Sequence, residues 1–305
     1  GDGRGGPSNE ATFIDVKKAH LNARCDKPTY VKLPAEAQAA PGKVGRLLMW
    51  LYGCRGAASG WEAEYSGKLV EEGFRKGRAS AAVFYMAERD LRLVVHGDDF
   101  TFLGYQEDLD WITEKMKGWY DIKVRGLMGD EAGDDKAVTI LNRSLAWDGK
   151  DLIYKADVKH GRELRRIMEV KEEDKGLTMP CVKEGIDGVR MLPWKEERGL
   201  EEELDKKEGG LFRRAAAIVN YWGADRMDIQ YAGKEVCREM SKPTVDGWIK
   251  LRRLARYTLV APEAEVRFGS DGVNEAVVRV FTDSDWTGCK TTRKSTNGGL
   301  VCFGG

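Results

Sequence analysis

The sequence predicts an α+β fold in which alternating strands and helices come first, helices follow, and a pair of strands ends the chain. Between residues 13 and 124, apolar runs typical of strands and two segments of helical periodicity follow the order strand, helix, two strands, helix, strand. That order is typical of a split β-α-β, ferredoxin-like unit, in which the first strand lies beside the central hairpin. Residues 211–260 show helical periodicity, and strand-like runs return at 276–286 and 299–303.

Length and charge set broad limits. The chain has 305 residues, which predicts about two domains. Its 50 basic and 50 acidic residues cancel, so the net charge provides no general attraction to nucleic acid. Any nucleic-acid binding must therefore come from local basic stretches.

The cysteines and the ends of the chain add three expectations. Six scattered cysteines without a Cys-Xaa-Xaa-Cys pair argue against a zinc site or a disulfide framework and fit a reducing compartment. The chain begins without Met and ends inside a strand-like run, so we expect a fragment of a longer polyprotein. The first ten residues are polar and Gly-rich and are predicted to be disordered.

A pair of adjacent acids lies at the tip of the central hairpin. Apolar residues flank Gly97, Asp98 and Asp99 on both sides, and Gly97 allows a tight turn between two strands. Adjacent carboxylates repel each other unless a cation lies between them, and Mg²⁺ is commonly bound by one or two carboxylates together with substrate phosphates. The turn therefore indicates either a metal site for phosphoryl transfer or an ordinary acidic turn, since Gly-Asp is common turn chemistry.

A third acid, Asp15, ends the first predicted strand at residues 12–16. A carboxylate is costly to bury unpaired, so Asp15 needs a charged or hydrogen-bonding partner, caps the next segment or binds a metal ion. In the predicted strand order the first strand neighbours the hairpin. Asp15 and Asp98 would then meet although they are distant in sequence.

The remaining segments are predicted in chain order. An edge strand at 29–34 and a helix from Ala57 precede the hairpin, and a helix at 106–117 and a strand at 119–124 follow it. Beyond them the sequence predicts a hairpin of 138–141 with 151–154 around residues 147–150, and a basic helix at 158–170. A charged linker or mobile insertion at 171–207 and two antiparallel helices at 211–240 and 245–260 are predicted to follow. The basic helix either solvates its charges or contacts phosphates.

Four stretches, in the same order, resemble the reverse transcriptase of copia-type long-terminal-repeat retrotransposons. IDVKKAHLN at 14–22 resembles the first palm motif of that family, DVKxAFLN, and LYGCRGA at 51–57 with Trp61 resembles LYGLKQA…W. HGDD at 96–99 stands where the family has YVDD. FTDSDWTGC at 281–289, with RKST at 293–296, resembles the opening of the family's RNase H domain, and 227–232 and 251–257 resemble the helical connection before it.

The resemblance implies RNA-directed DNA polymerisation with two Mg²⁺ ions, or Mn²⁺ as an alternative. It implies that Asp15, Asp98 and Asp99 are the catalytic and metal-binding acids. The positions it implies for contacts to template, primer or nucleotide are His20, Arg55, Gly56, His96 and Gly97, and Asp283 matches an RNase H acid. The implied partners are an RNA template, a DNA primer, deoxynucleoside triphosphates and the rest of a Pol polyprotein, with no membrane. The implied location is a cytoplasmic virus-like particle or the nucleus, without secretion.

The same resemblance predicts the domains. They are a disordered segment at 1–10, a reverse transcriptase palm at 11–136, the palm end with a thumb-like segment and charged linker at 137–207, a helical connection at 208–265, and a truncated RNase H-like hairpin at 266–305.

The chain also departs from the family pattern. His20 replaces an aromatic residue beside the sugar 2′ position, Gly56 replaces a Gln, and His96 with Gly97 replaces Tyr-Val. We expect the family's fingers segment to be absent before Asp15, and a single matched acid predicts no RNase H activity. Two other hypotheses stay open: a catalytically inactive retroelement remnant that only binds nucleic acid, and an unrelated metal-dependent nuclease.

Overall fold

The computed structural model describes residues 10–181, 199–269, 277–287 and 293–303. Contacts between Cα atoms divide the chain into two compact units, residues 1–138 and 139–305. The disorder predicted for residues 1–10 lies outside the described residues except at Glu10. There the prediction is wrong, because Glu10 is the buried first residue of a strand.

The first unit is built on a six-stranded antiparallel sheet with the order β4-β5-β6-β7-β1-β8. Strands β2 and β3 form a separate two-stranded ribbon. The elements are β1 (Glu10–Val16), β2 (Tyr30–Lys32), β3 (Val44–Arg46), α1 (Ala57–Glu71), β4 (Arg75–Lys76), β5 (Val83–Met86), β6 (Leu91–His96), β7 (Asp99–Gly104), α2 (Gln106–Trp119) and β8 (Ile122–Met128).

Both helices of the first unit form one core with the sheet. On α1, Trp61, Tyr65 and Leu69 recur at four-residue steps, and all three are buried. On α2 the buried stripe includes Leu109, Ile112 and Met116. These side chains join the inward-facing residues of β5, β6 and β7 in a single hydrophobic cluster. The chain order β1-α1-β6-β7-α2-β8, with the sheet order β6-β7-β1-β8, is the connectivity of a split β-α-β unit.

The second unit combines a four-stranded sheet, a helical core and a separate hairpin. The sheet order is β12-β11-β10-β9, and β13 pairs with β14. The elements are β9 (Ala137–Ile140), β10 (Arg143–Trp147), β11 (Leu152–Lys155), α3 (Lys159–Ile167), α4 (Lys206–Trp222), α5 (Gln230–Cys237), α6 (Val245–Val260), β12 (Glu265–Phe268), β13 (Val278–Ser284) and β14 (Asn297–Phe303). Side chains from all four helices form the second hydrophobic cluster.

The structure corrects two predictions for the second unit. The hairpin of 138–141 with 151–154 is wrong, because β10 lies between them and Trp147 pairs with Leu152. Leu141 and Asn142 both have positive φ, so the chain turns there without the glycine that usually marks such a turn.

The second correction concerns residues 211–240, which were predicted as one of two antiparallel helices. They contain part of α4 and all of α5, separated by a short break in which the fully buried Arg226 binds Asp228 and the carbonyl oxygens of Ala261 and Pro262. α4 ends at Trp222 with Gly223 as its C-cap residue, so the stretch is not one continuous helix.

The charged segment at 171–207, the cysteines and the apolar character of the helices can also be compared with the sequence-based predictions. Of the linker predicted at 171–207, residues 182–198 lie outside the described part, and α4 begins at Lys206 behind a capping box formed by Asp205 and Glu208. The cysteines in the described ranges are free thiols. No helix in those ranges combines the length and apolar character needed to cross a membrane.

Candidate active site

The acidic turn is a two-residue connection between β6 and β7. Gly97 has φ +64°, whereas Asp98 is not among the residues with positive φ, which is the pattern of a II′ hairpin turn with Gly in the first loop position. A Cβ atom at Gly97 would meet no atom within 4 Å, so the constraint on this position is conformational. The turn leaves Asp98 exposed at the tip and places Asp99 at the start of β7.

Strand pairing brings the third acid to this turn. β1 runs antiparallel to β7, and Asp15 is the register partner of Asp99. The amide N–H of Val16 donates to the carbonyl oxygen of Asp98 at 2.9 Å, which ties the end of β1 to the turn. The first strand therefore neighbours the hairpin as the element order predicts, and the three acids come together at one end of the sheet.

Helix α1 also holds the turn. The indole N–H of Trp61 donates to the carbonyl oxygen of Gly97 at 2.8 Å. The ring of Trp61 is buried and packs edge-on against Phe100 and Tyr120, with ring centroids 6.3 and 5.0 Å away. The backbone of the acidic turn is therefore anchored to the core of the unit.

A cation that the sequence reasoning missed lies between two of the acids. Arg125 of β8 places Nη2 2.9 Å from Oδ1 of Asp15 and 3.3 Å from Oδ1 of Asp99. In the pairing of β1 with β8, Phe13 is opposite Gly126 and Ile14 is opposite Val124, so Arg125 is the extra residue of a β-bulge. The glycine that follows Arg125 was the available sequence signal, since an isolated Gly in a strand often marks a bulge.

The charges in the site act on Asp99 in opposite directions. Burial raises the pKa of the Asp99 carboxyl above its usual range, and the negative charges of Asp98 and Asp15 raise it further. Arg125 and His96 lower this pKa but do not cancel the increase. Asp98 and Asp15 are thus close enough to Asp99 for their negative charges to act on it.

Two of the three acids are placed to bind a divalent cation that prefers oxygen ligands. Within the described ranges, no group of three His, Cys, Asp or Glu side chains is arranged to hold a metal ion. Asp15 and Asp99 do converge on a single cationic nitrogen, that of Arg125. Mg²⁺ is usually bound through one or two carboxylates together with water and substrate phosphates, so these two acids are sufficient protein ligands.

The predicted positioning residues lie around the same end of β1. The ring of His20 packs against that of Tyr52 with 4.3 Å between centroids and a tilt of 38°, and Arg55 is exposed. Gly56 lies against Trp50, where a Cβ atom would come within 2.4 Å of the indole ring. A longer side chain at position 56 would therefore displace Trp50. His96 is exposed and is the register partner of Asp99.

Asp283 lies apart from these residues in sequence and belongs to the second unit. It is on β13, where it is the register partner of Gly298, and every residue of that strand is exposed. The sequence that resembles an RNase H opening includes residues 288–292, which lie outside the described part of the chain.

The second unit carries a basic groove between α3 and α4. Its cavity of about 850 Å³ is lined by Lys159, His160, Arg162, Glu163, Arg166, Arg214, Ala217, Ile218 and Tyr221. Glu163 accepts hydrogen bonds from both Arg166 and Arg214, and these contacts hold its pKa below the usual range. Asp157 forms an ion pair with Lys159, so two carboxylates are set against four cations and the groove keeps excess positive charge.

Comparisons with known proteins relate the chain to retroelements. No protein-family model matches it. The chain is 23% identical over 300 residues to the retrovirus-related Pol polyprotein from transposon RE2 of Arabidopsis thaliana, which covers 95% of this chain and 19% of that protein. It is 22% identical over 307 residues to the Pol polyprotein from transposon TNT 1-94 of Nicotiana tabacum, covering 97% of this chain and 22% of that protein.

A shorter match is more similar. An uncharacterised mitochondrial protein of Arabidopsis thaliana is 34% identical over 93 residues, which covers 30% of this chain and 38% of that protein. The chain therefore spans about a fifth of the length of the Pol polyproteins that it matches, and well under half of the mitochondrial protein.

Proposed function

Because this chain is related to the Pol polyproteins of copia-type retrotransposons, we propose that its first unit is the palm of an RNA-directed DNA polymerase. The proposed metal-binding acids are Asp15, Asp98 and Asp99. The observation that carries the proposal is the convergence of Asp15 and Asp99, from neighbouring strands, on one positive charge beside the Asp98 turn.

The chain's own residues would position the reactants. Asp15 and Asp99 would hold a divalent cation from the protein side, while the exposed Asp98 is free to face a second ligand. The cation, when bound, would lower the pKa of the primer hydroxyl and neutralise charge on the leaving phosphate. Phosphoryl transfer depends mainly on positioning and charge neutralisation, so the rigidity that Trp61 and β1 give to the turn is the protein's contribution.

The proposed substrates are an RNA template annealed to a DNA primer and deoxynucleoside triphosphates. His20, which packs against Tyr52 beyond the end of β1, is proposed to face the sugar of the incoming nucleotide. Arg55, Gly56, His96 and Gly97 are proposed to lie along the template and primer. The proposal assigns no catalytic role to Asp283.

Primer extension on an RNA template tests the proposal. We expect Mg²⁺-dependent extension by the unmodified chain and loss of extension in Asp98→Asn, while the exposed Asp121→Asn serves as a matched control. Extension that persists in Asp98→Asn would contradict the polymerase assignment. Degradation of the template strand without extension would instead support the metal-dependent nuclease hypothesis.

A second candidate function is nucleic-acid binding without catalysis, and the α3/α4 groove favours it. Cationic side chains that line a groove beside the aromatic Tyr221 are typical of surfaces that contact a phosphate backbone. Fluorescence anisotropy with a labelled oligonucleotide would test this function. Replacing Arg162 and Arg214 by Gln should weaken binding and reduce its salt dependence, whereas Lys242→Gln, outside the groove, should change neither. If the variant with Arg162 and Arg214 replaced binds the oligonucleotide as tightly as Lys242→Gln does, the groove is excluded as the binding surface.

A further inference from the structure

Arg125 occupies the position between the two acids that the proposed function assigns to a metal ion. One nitrogen of its guanidinium contacts both Asp15 and Asp99, and the two acids are the mutual partners in the β1–β7 register. The side chains of Asp15 and Asp99 are 21% and 15% exposed, so water screens their repulsion only in part. The guanidinium therefore lies where its positive charge offsets the repulsion between the two carboxylates.

The backbone is shaped to bring Arg125 to this position. In a regular antiparallel ladder, side chains alternate between the two faces of the sheet. The bulge at Arg125 interrupts that alternation between Val124 and Gly126, and bulges commonly redirect a side chain toward a site. Lys123 is also on β8 and is the register partner of Asp15, but its side chain is exposed. Lys17, beyond the end of β1, forms its ion pair with Asp121. Arg125 is thus the basic side chain that the fold directs between the acids.

We propose that Arg125 is a resident counter-ion, which neutralises Asp15 and Asp99 in the metal-free protein and is displaced when a divalent cation binds. This inference rests on the proposed function, because it takes the same two acids as metal ligands. Binding of the metal then requires breaking both contacts of the guanidinium, so Arg125 lowers the affinity of the site for a metal ion. At 40% exposure, the Arg125 side chain has access to solvent into which it can move.

Binding of Mn²⁺, followed by electron paramagnetic resonance in the absence of nucleic acid and nucleotide, tests the inference without requiring activity. The variants are Arg125→Gln, Arg125→Lys and, as a matched loss of one positive charge elsewhere in the unit, Lys117→Gln, whose ion pair is with Glu114. Arg125→Gln should bind Mn²⁺ about tenfold more tightly than the unmodified chain, since charge-assisted hydrogen bonds no longer compete. The Mn²⁺ affinity of Arg125→Lys should remain within about threefold of that of the unmodified chain, because lysine keeps the positive charge. Lys117→Gln should have the same Mn²⁺ affinity as the unmodified chain.

Thermal denaturation in EDTA provides a second measurement. Arg125→Gln should lower the melting temperature in EDTA, because Asp15 and Asp99 then lack a counter-ion, and added Mn²⁺ should recover the loss. Affinity in Arg125→Gln that equals or falls below that of the unmodified chain would overturn the inference.

Mn²⁺ binding by Asp15→Asn and Asp99→Asn distinguishes failure of the counter-ion role from failure of the proposed metal site. If Asp15→Asn and Asp99→Asn lose Mn²⁺ binding but Arg125→Gln does not gain it, the counter-ion role fails and the metal site stands. If neither the unmodified chain nor Arg125→Gln binds Mn²⁺, or if binding is unchanged in Asp15→Asn, the proposed function fails together with the inference.

Discussion

Replacing Trp61 by Phe tests how the acidic turn is held. The change removes the indole N–H that donates to the carbonyl oxygen of Gly97, and it keeps an aromatic ring within the cluster formed with Phe100 and Tyr120. Because the donor comes from α1 and the acceptor lies between β6 and β7, its loss should loosen the turn relative to the core.

The expected cost follows from two contributions. The lost hydrogen bond is worth about 1 kcal/mol. Trp61 is 2% exposed, and the smaller ring leaves a cavity that costs about 1–2 kcal/mol, less than the roughly 3–5 kcal/mol of complete truncation to Ala. The free energy of opening at the turn should therefore fall by about 2–3 kcal/mol in Trp61→Phe.

Native-state hydrogen exchange at the amide of Val16 measures this change locally, because that amide donates to the carbonyl oxygen of Asp98. We expect exchange roughly 30- to 150-fold faster in Trp61→Phe, because each 1.4 kcal/mol of the expected loss is a factor of about ten. Tyr65→Phe, on the same helix and in the same aromatic cluster, removes only a hydroxyl and is the control. Equal protection of Val16 in the two variants would refute the anchoring role of Trp61.

Two further predictions concern buried charges. Asp228→Asn should destabilise the second unit by about 3 kcal/mol in thermal denaturation, because it removes the counter-charge of the fully buried Arg226. Asp246 is more exposed, so Asp246→Asn should cost less than about 1 kcal/mol. Equal losses in the two variants would contradict the role of the buried pair. Burial and nearby acids raise the pKa of Glu10 above 4.5, so the folded state binds this proton more tightly and stability should fall as the pH rises through that raised pKa. Glu10→Gln should therefore raise the melting temperature at pH 7 and not at pH 4, and a gain of equal size at both would contradict this.

The sequence was informative where the physical signal is local or topological. The stripe of Trp61, Tyr65 and Leu69 predicted α1, because helical periodicity is visible in a short window. The neighbourhood of Asp15 and the hairpin followed from the element order, because few sheet orders are compatible with a split β-α-β unit.

The sequence was uninformative where a side chain depends on distant backbone. Arg125 reaches the acids through a bulge, and a one-residue change of register cannot be read from alternation alone. The turn at Leu141 and Asn142 lacks a glycine, so β10 went unpredicted. Arg226, in the break between α4 and α5, donates hydrogen bonds to the carbonyl oxygens of residues 261 and 262, which are distant in sequence and could not be identified from the local pattern.

Single-nucleotide incorporation by Asp15→Asn, Asp99→Asn and the double variant tests the central claim, that the acids of β1 and β7 act as one metal site. The account predicts that each single variant loses at least about a thousandfold in rate and that the double variant loses little more, since residues that act as a unit are not additive. The exposed Asp121→Asn should keep the unmodified rate. Independent losses that multiply in the double variant, or activity retained in either single variant, would contradict the account.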